Sequence, residues 1–312
     1  MRHSLLTGSL ILASLTLIGC DFVDPSEWGN SDRYKQDFSS THKLAAGGRI
    51  VLEGFNGSVE ITGWDKDEVE VAGTKSASRE EVLSAMQVDV TADPGMVRIR
   101  ARRPDERNCN CGVRFALKVP RKVVLEDITT SNGSLRLESV TGSARMHSSN
   151  GSVHVWGVEG DINIQTSNGS MDVDKFKGSA DLKTSNGRVK ASGIDGAFSA
   201  RTSNGSIDAD VDSLDTGKPV VLSSSNGSIN LALARWNNNE VRATTSNSSI
   251  NLRLPPGVAA EVRAVTSNGN ISTDFELTTT QLSKTRVSGR IGGGGALLDL
   301  TTSNGNIRLM KR

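Results

Sequence analysis

Two pairs of aspartates have a spacing in this sequence that could support chemistry. Carboxylates clustered on one face could hold calcium, or could supply the acid and the base of a glycan-cleaving enzyme. Lys190 and Ser192, however, lie midway between the two pairs in the sequence, 18 residues after Asp172 and Asp174. We therefore interpret the aspartates as a solvated surface of alternating charge, with an acidic site as the alternative. The four residues are Asp172, Asp174, Asp208 and Asp210.

Cys109 and Cys111 lie two residues apart in the sequence Asn-Cys-Asn-Cys-Gly. Cysteines this close can reach disulfide distance, and the compartment of an exported protein permits the bond. A metal site would need two further ligands, and no nearby His or Cys supplies them. We predict a disulfide or free thiols at this position, and no metal.

The remaining candidates for chemistry are His42, His147 and His154. None has a Ser, Cys or carboxylate arrangement in the sequence that would make a nucleophile or a zinc site. We therefore predict no catalytic residue and no cofactor, and we expect the protein not to be an enzyme. The formal net charge of +1 over 312 residues gives no basic face for nucleic acid, so nucleic acid is not an expected partner.

The N-terminus has the pattern of an export signal followed by a lipid anchor. An apolar run over residues 5–18 is too short to span a bilayer. The sequence Leu-Ile-Gly-Cys that ends at Cys20 resembles the lipobox of bacterial lipoproteins. This resemblance implies that residues 1–19 are a signal peptide and that Cys20 is acylated, with palmitate as an expected chain. Several acyl chains would hold the body to the periplasmic face of a membrane, and Asp21 resembles an inner-membrane retention signal.

From residue 132 onward the tripeptide Ser-Asn-Gly recurs at a nearly fixed distance. The first five copies are each 18 residues apart, and later copies follow at looser steps. A fixed period of about this length indicates a repeat architecture. The asparagines of the series are Asn132, Asn150, Asn168, Asn186, Asn204, Asn226, Asn247, Asn268 and Asn304, with an earlier copy at Asn56.

Alignment of the repeats on their asparagines shows apolar residues at alternating positions in each half of the repeat. This period of two predicts two short strands per repeat. One repeat supplies Val153, Val155, Val158, Ile162 and Ile164. We predict an all-β fold: a single-stranded parallel β-helix, or β-solenoid, with coils of about 18 residues, capped at its N-terminus by a less regular β segment with a short helix.

Stacked coils would place the asparagines in register, about 4.8 Å apart, where each amide can donate to the next. We also expect the asparagines to adopt left-handed backbone at the corners, and Ser149 and its equivalents to add a column of hydroxyl groups. An antiparallel meander or barrel is the alternative, because Asn-Gly between alternating runs is a strong hairpin signal.

The predicted segments are residues 1–19, the signal peptide; 20–41, the lipidated cysteine and a flexible tether; 42–120, the irregular cap; and 121–312, the solenoid. The tether is rich in Asp, Ser, Gly and Lys and has no apolar period. Within the cap, Ser78 followed by Glu81 predicts a capping box that opens a helix to about Gln87.

The Ser-Asn-Gly-Ser repeats, with the strand over residues 115–120 that leads into them, resemble a bacterial envelope family of adhesin-like proteins of unknown function. The resemblance covers roughly residues 42–312 and brings no catalytic residues. It implies a non-enzymatic binding or scaffolding module for an envelope protein or polysaccharide. Two alternatives stay open: a polysaccharide-active β-helix enzyme, and a sensor or regulator of envelope stress. The ligand, the coil handedness and the oligomeric state do not follow from the sequence.

Overall fold

The computed structural model describes residues 33–105 and 109–312, in which 25 strands and one short helix form a single β-solenoid. The predicted all-β solenoid is confirmed. Residues 1–32, which include Cys20 and the predicted signal peptide, lie outside the described residues. No helix in the described ranges is long and apolar enough to cross a membrane.

The regular middle of the solenoid extends over residues 124–254. Its strands are β8 (Val124–Asn132), β9 (Leu135–Glu138), β10 (Ala144–Asn150), β11 (Val153–Trp156), β12 (Glu159–Thr166), β13 (Met171–Lys183), β14 (Val189–Arg201), β15 (Ile207–Ser213), β16 (Val220–Ser223), β17 (Ile229–Leu233), β18 (Val241–Thr244) and β19 (Ile250–Leu254).

Each coil of this middle contributes one segment to a front sheet and one to a back sheet. The front sheet contains the strands that follow each Asn-Gly turn, such as β9, β11 and the first half of β13. The back sheet contains β8, β10, β12 and the second half of β13. Neighbouring coils pair in parallel and in register, with Val153 beside Met171 in front and Ile162 beside Ala180 behind.

The core between the two sheets consists mainly of aliphatic side chains, with Phe176 and Phe198 also buried in it. In one coil Val153, Val155, Val158, Ile162 and Ile164 are at most 3% exposed. Burying each of them contributes about 1.5–3 kcal/mol. The alternating apolar positions therefore point inward, and the intervening polar positions form the two outer faces.

The N-terminal end is built from seven strands and the helix. They are β1 (Tyr34–Lys43), β2 (Arg49–Glu53), β3 (Val59–Trp64), β4 (Glu68–Ala77), α1 (Glu80–Ala85), β5 (Gln87–Asp93), β6 (Met96–Arg102) and β7 (Cys111–Pro120). Strand β2 lies between β6 and β8, and β3 lies between β7 and β9. The first coil in the chain, β2 and β3, is therefore not the outermost one, because the coil of β6 and β7 lies outside it. The antiparallel strands β1, β4 and β5 cover the outer edge.

The C-terminal end repeats this exchange of chain order. Its strands are β20 (Ala260–Thr266), β21 (Ile271–Thr273), β22 (Leu277–Leu282), β23 (Arg286–Ile291), β24 (Leu297–Thr302) and β25 (Ile307–Lys311). The last coil, β24 and β25, pairs on one side with β18 and β19 and on the other with β20 and β21. Strands β22 and β23 form an antiparallel hairpin on β20.

The predicted capping box is wrong. The N-cap of α1 is Arg79, which makes no side-chain cap hydrogen bond, and the helix ends at Ala85. The Ser78 N–H donates instead to the Asn110 carbonyl. Because this bond continues the pairing of β4 with β7, Ser78 belongs to the end of the sheet. The helix is held by burial of Val82 and Leu83.

Candidate functional site

The asparagines of the repeats form a hydrogen-bonded ladder along one corner of the solenoid. Each side-chain Nδ2 donates to the Oδ1 of the asparagine in the adjacent coil at 2.6–2.9 Å, and all nine bonds run in one direction. Asn56 ends the ladder by donating to the Cys111 carbonyl at 3.0 Å. In spatial order the members are Asn56, Asn132, Asn150, Asn168, Asn186, Asn204, Asn226, Asn247, Asn304 and Asn268.

The environment of this ladder differs from the sequence expectation. Apart from half-buried Asn56, its asparagines are exposed. None has positive φ, because the positive-φ residues other than glycine in the described ranges are Ser139, Lys175 and Asn238. The corner instead depends on the following glycine, where the backbones approach closely. A Cβ on Gly169 would collide with the Gly151 carbonyl oxygen of the next coil.

A buried column of hydroxyl groups lies one residue earlier than expected. Each buried Ser or Thr two positions before a ladder asparagine donates to the carbonyl of the residue that follows the asparagine in the adjacent coil, at 2.8–3.1 Å. Ser149 and its equivalents are more exposed and contribute backbone carbonyls instead. The donors are Thr130, Ser148, Thr166, Thr184, Thr202, Ser224, Thr245, Thr302 and Thr266.

Cys109 and Cys111 form a disulfide with their Cα atoms 5.3 Å apart. Cys111 is 5% exposed and is the residue whose carbonyl accepts the bond from Asn56. The disulfide therefore closes the loop directly at the N-terminal end of the ladder. No group of three or more His, Cys, Asp or Glu within residues 33–105 and 109–312 could hold a metal ion.

The two aspartate pairs are not brought together. Strand β14 lies between them, so that Lys190 separates Asp172 from Asp208 in the front sheet. Asp174 accepts a hydrogen bond from Ser192 at 2.8 Å. Asp208 forms an ion pair with Arg188 at 3.0 Å and accepts a hydrogen bond from the Asn230 amide at 2.6 Å. The second pair is therefore part of an interstrand polar network.

The first pair, by contrast, lines a shallow groove beside an exposed tryptophan. This groove, which we call the Trp156 groove, has a volume of about 430 Å³. Trp156 is 45% exposed, and the Lys175 Nζ lies 5.1 Å from the centroid of its ring. Arg136 and Glu138 form an ion pair at 3.0 Å. The groove is lined by Arg136, Glu138, His154, Val155, Trp156, Asp172 and Asp174.

A second groove, of about 620 Å³, adjoins the first and shares Arg136 and His154 with it. It extends across four coils toward the asparagine ladder and reaches Asn132 and Asn150. Its other lining residues include Ser134 and Ser152. The front sheet thus carries a continuous polar track from the ladder to Trp156. Trp156 could not be recognised from the sequence as a functional residue, because a single exposed aromatic residue has no periodic signal.

This chain matches a known protein family. The family model described as Toastrack DUF4097 matches residues 49–310. No curated protein matches.

Several solved structures resemble this chain at low sequence identity. A candidate adhesin from Bacteroides fragilis has 10% identity and a TM-score of 0.38, covering 89% of this chain and 97% of its own. A candidate lipid-binding protein from Parabacteroides distasonis has 11% identity and a TM-score of 0.34, covering 88% and 96%. A candidate cell adhesion protein from Clostridium sporogenes has 10% identity and a TM-score of 0.22, covering 89% and 100%. At these values we transfer no function from them. The family match extends over most of the chain, and this protein therefore belongs to the Toastrack family DUF4097.

Proposed function

We propose that this protein is a lipid-anchored component of the bacterial cell envelope whose solenoid is a non-enzymatic binding module. In this proposal Cys20 carries the anchor, and the front sheet presents the binding surface. The last part of the predicted tether of residues 20–41 is not a free linker, because β1 begins at Tyr34. The lipobox pattern supports the anchor. The surface is supported by the Trp156 groove and by the rigidity of the coils on which it lies.

The observation that carries the proposal is an exposed tryptophan on a backbone fixed from both sides. Strand β11, which ends at Trp156, is paired in parallel with β9 and with β13. Val153 and Val155, on the inward side of the same strand, are at most 2% exposed. A surface held in this way loses little conformational entropy when a partner binds, and tryptophan is among the residues most enriched at binding hot spots.

Co-purification of the detergent-extracted full chain tests the binding role. Wild type should capture an envelope component that Trp156→Ala loses. Leu282→Ala is the matched control, because Leu282 is the other large exposed apolar residue of the described chain and lies in β22, at the C-terminal end. Equal capture by wild type and both variants would contradict a binding role for this groove.

The anchor is tested by Cys20→Ser and fractionation. Because the apolar segment is otherwise only a signal, this variant should leave the membrane fraction as a soluble or uncleaved protein. A mature body that stays membrane-bound after a high-salt wash would contradict lipid anchoring.

The rival enzymatic function would need an acid and a base among the carboxylates of the front sheet. Three carboxylates line the Trp156 groove, but Glu138 is paired with Arg136 and Asp174 already accepts a hydrogen bond from Ser192. The full chain should therefore release no sugar from envelope polysaccharides. Turnover that Asp172→Asn abolishes would favour the enzyme instead.

A further inference from the structure

We propose that the Trp156 groove binds a neutral, hydroxyl-rich glycan, and that the polymer continues along the adjoining groove toward the asparagine ladder. This inference rests on the proposed binding role and names the class of ligand for it.

The indole of Trp156 supplies an apolar platform for one face of a sugar ring. Its residue is 45% exposed, although the neighbouring positions on β11 are buried or polar. The indole N–H makes no hydrogen bond to any described residue, so it is free to donate to a ligand. Lys175 lies over the ring, where a cation–π contact limits the orientations of the indole. A large aromatic surface with a free donor at its edge suits a ligand that has both C–H faces and hydroxyl groups.

The carboxylates around the ring supply acceptors for sugar hydroxyls. Asp172 is half-buried and has no ion pair or hydrogen bond with another described residue. Asp174 accepts only from Ser192 within the described chain, which leaves lone pairs on its carboxylate free. Arg136 offers guanidinium donors at the other side of the groove, with Glu138 holding it at 3.0 Å. A carboxylate that accepts from hydroxyl groups makes charge-assisted hydrogen bonds, which are stronger than neutral ones.

The charge and the backbone of the groove argue against other ligands. Three carboxylates, from Glu138, Asp172 and Asp174, face the cations of Arg136 and Lys175, and this balance disfavours a polyanion. Both edges of β11 are already paired, so no strand edge is open for an added peptide strand. An acyl chain is disfavoured as well, because the groove has one exposed aromatic side chain and its other exposed groups are mostly charged.

The adjoining groove extends the site in the direction of a polymer. It crosses four stacked coils and presents the side chains of Ser134, Ser152, Asn132 and Asn150, together with Glu60 and Arg114 at its far end. Because the coils stack with a strand spacing of about 4.8 Å, these groups repeat at regular intervals along the axis. Hydroxyl and amide groups are each able to donate and accept, which suits the successive hydroxyl groups of a polysaccharide.

Affinity electrophoresis of the detergent-solubilised full chain tests the inference. The gels contain a β-glucan, a mannan, a galactan or, in a competition format, oligomers of N-acetylglucosamine, with dextran sulfate as a polyanion. We expect at least one neutral glycan to retard wild type. Trp156→Ala should weaken that binding roughly thirtyfold, as truncation of a tryptophan hot spot does. Trp156→Phe should restore most of it, and Leu282→Ala should equal wild type.

The outcomes separate this inference from the proposed function. If no neutral glycan binds, or if only dextran sulfate does, the glycan inference is wrong. If Trp156→Ala nevertheless loses an envelope protein in the co-purification experiment, the binding role stands with a protein as its ligand. If Trp156→Ala changes neither glycan binding nor co-purification, both proposals are wrong.

Discussion

The regular middle and the two ends of this solenoid differ in the order in which their coils stack. In the middle, residues 124–254, each coil lies on the one that precedes it in the chain. At the N-terminal end the chain adds β6 and β7 on the outer side of β2 and β3, and then continues with β8 and β9 on their other side. At the C-terminal end the chain passes one coil position and later fills it, so that β24 lies between β18 and β20.

The comparison shows how a stack of coils can end without open parallel edges. An exposed sheet edge is a template for aggregation. Here the outermost coils are followed by antiparallel strands, β1 with β4 and β5 at one end and β23 with β22 at the other. The coils of the middle are therefore joined by repeated columns of hydrogen bonds. At the ends, neighbouring coils come from segments that are not consecutive in the chain.

The columns of the middle predict the largest effect of a single substitution. Gly169→Ala would place a Cβ against the backbone carbonyl of Gly151 in the adjacent coil, and this carbonyl cannot move aside as the end of a flexible side chain can. We expect a loss of about 3 kcal/mol or more in the free energy of unfolding. Urea denaturation followed by circular dichroism measures it.

Gly95→Ala is the control at the N-terminal end. A Cβ there would meet nothing within 4 Å, and the φ of Gly95 is not in the left-handed region. This variant should match wild type within about 0.5 kcal/mol. Equal losses for both variants would remove the distinction between the two regions.

Much of the middle could be predicted from the sequence, and the ends could not. The 18-residue period fixes which residues point inward, since one coil repeats the next. It carries no information about chain order, because Asn304 and Asn268 look equally suited to follow Asn247. The structure places Asn304 next to Asn247, with bonds of 2.9 Å to Asn247 and 2.8 Å from Asn268.

The site was predicted less well than the fold. The sequence pointed to the ladder residues, but it could not show that they are exposed or that the buried hydroxyl is one residue earlier. That difference depends on which side of the turn faces the core. Trp156 occupies an outward-facing position like many polar residues of the repeats, and only its exposure and its neighbours in the folded chain identify it.

Thr166→Val tests how much the buried hydroxyl column contributes to the stability of the middle. Thr166 is 1% exposed and donates to the Gly151 carbonyl at 3.0 Å. Valine keeps the shape but removes the donor, so we expect a loss of about 1–3 kcal/mol in urea denaturation. Thr244→Val, at an exposed position in β18, is the matched control and should be nearly neutral. Equal stability of the two variants would mean that the buried hydroxyl bond contributes nothing.

Asn168→Ala should cost less, about 1 kcal/mol, because water can replace the hydrogen bonds of an exposed amide. Asn163→Ala, an exposed asparagine outside the ladder, should be close to neutral. Since Asn168 and Asn186 share a bond of 2.7 Å, the double variant with Asn186→Ala should be non-additive. Costs that add within error would show that the ladder bond is not energetically coupled.

The smallest effect is expected at the N-terminal end, in the exposed ion pair of Asp65 and Arg121. The Arg121 guanidinium donates to Asp65 and holds the pKa of its carboxyl below the ordinary value of 3.8. A lowered folded-state pKa contributes stability above the ordinary pKa, which is lost as pH falls through the lowered one. Asp65→Asn should therefore flatten the acid side of a plot of urea midpoint against pH. A steeper acid side than in wild type would contradict this assignment.

Cross-linking of engineered cysteines tests the exchanged order of the coils most directly. Arg253 and Met310 are neighbours in the pairing of β19 with β25, at a strand spacing that a disulfide can bridge. A stack in simple chain order would instead place Arg253 beside Asp274. Oxidation followed by peptide mass analysis should show a cross-link in Arg253→Cys with Met310→Cys and none in Arg253→Cys with Asp274→Cys. The reverse result would contradict the account.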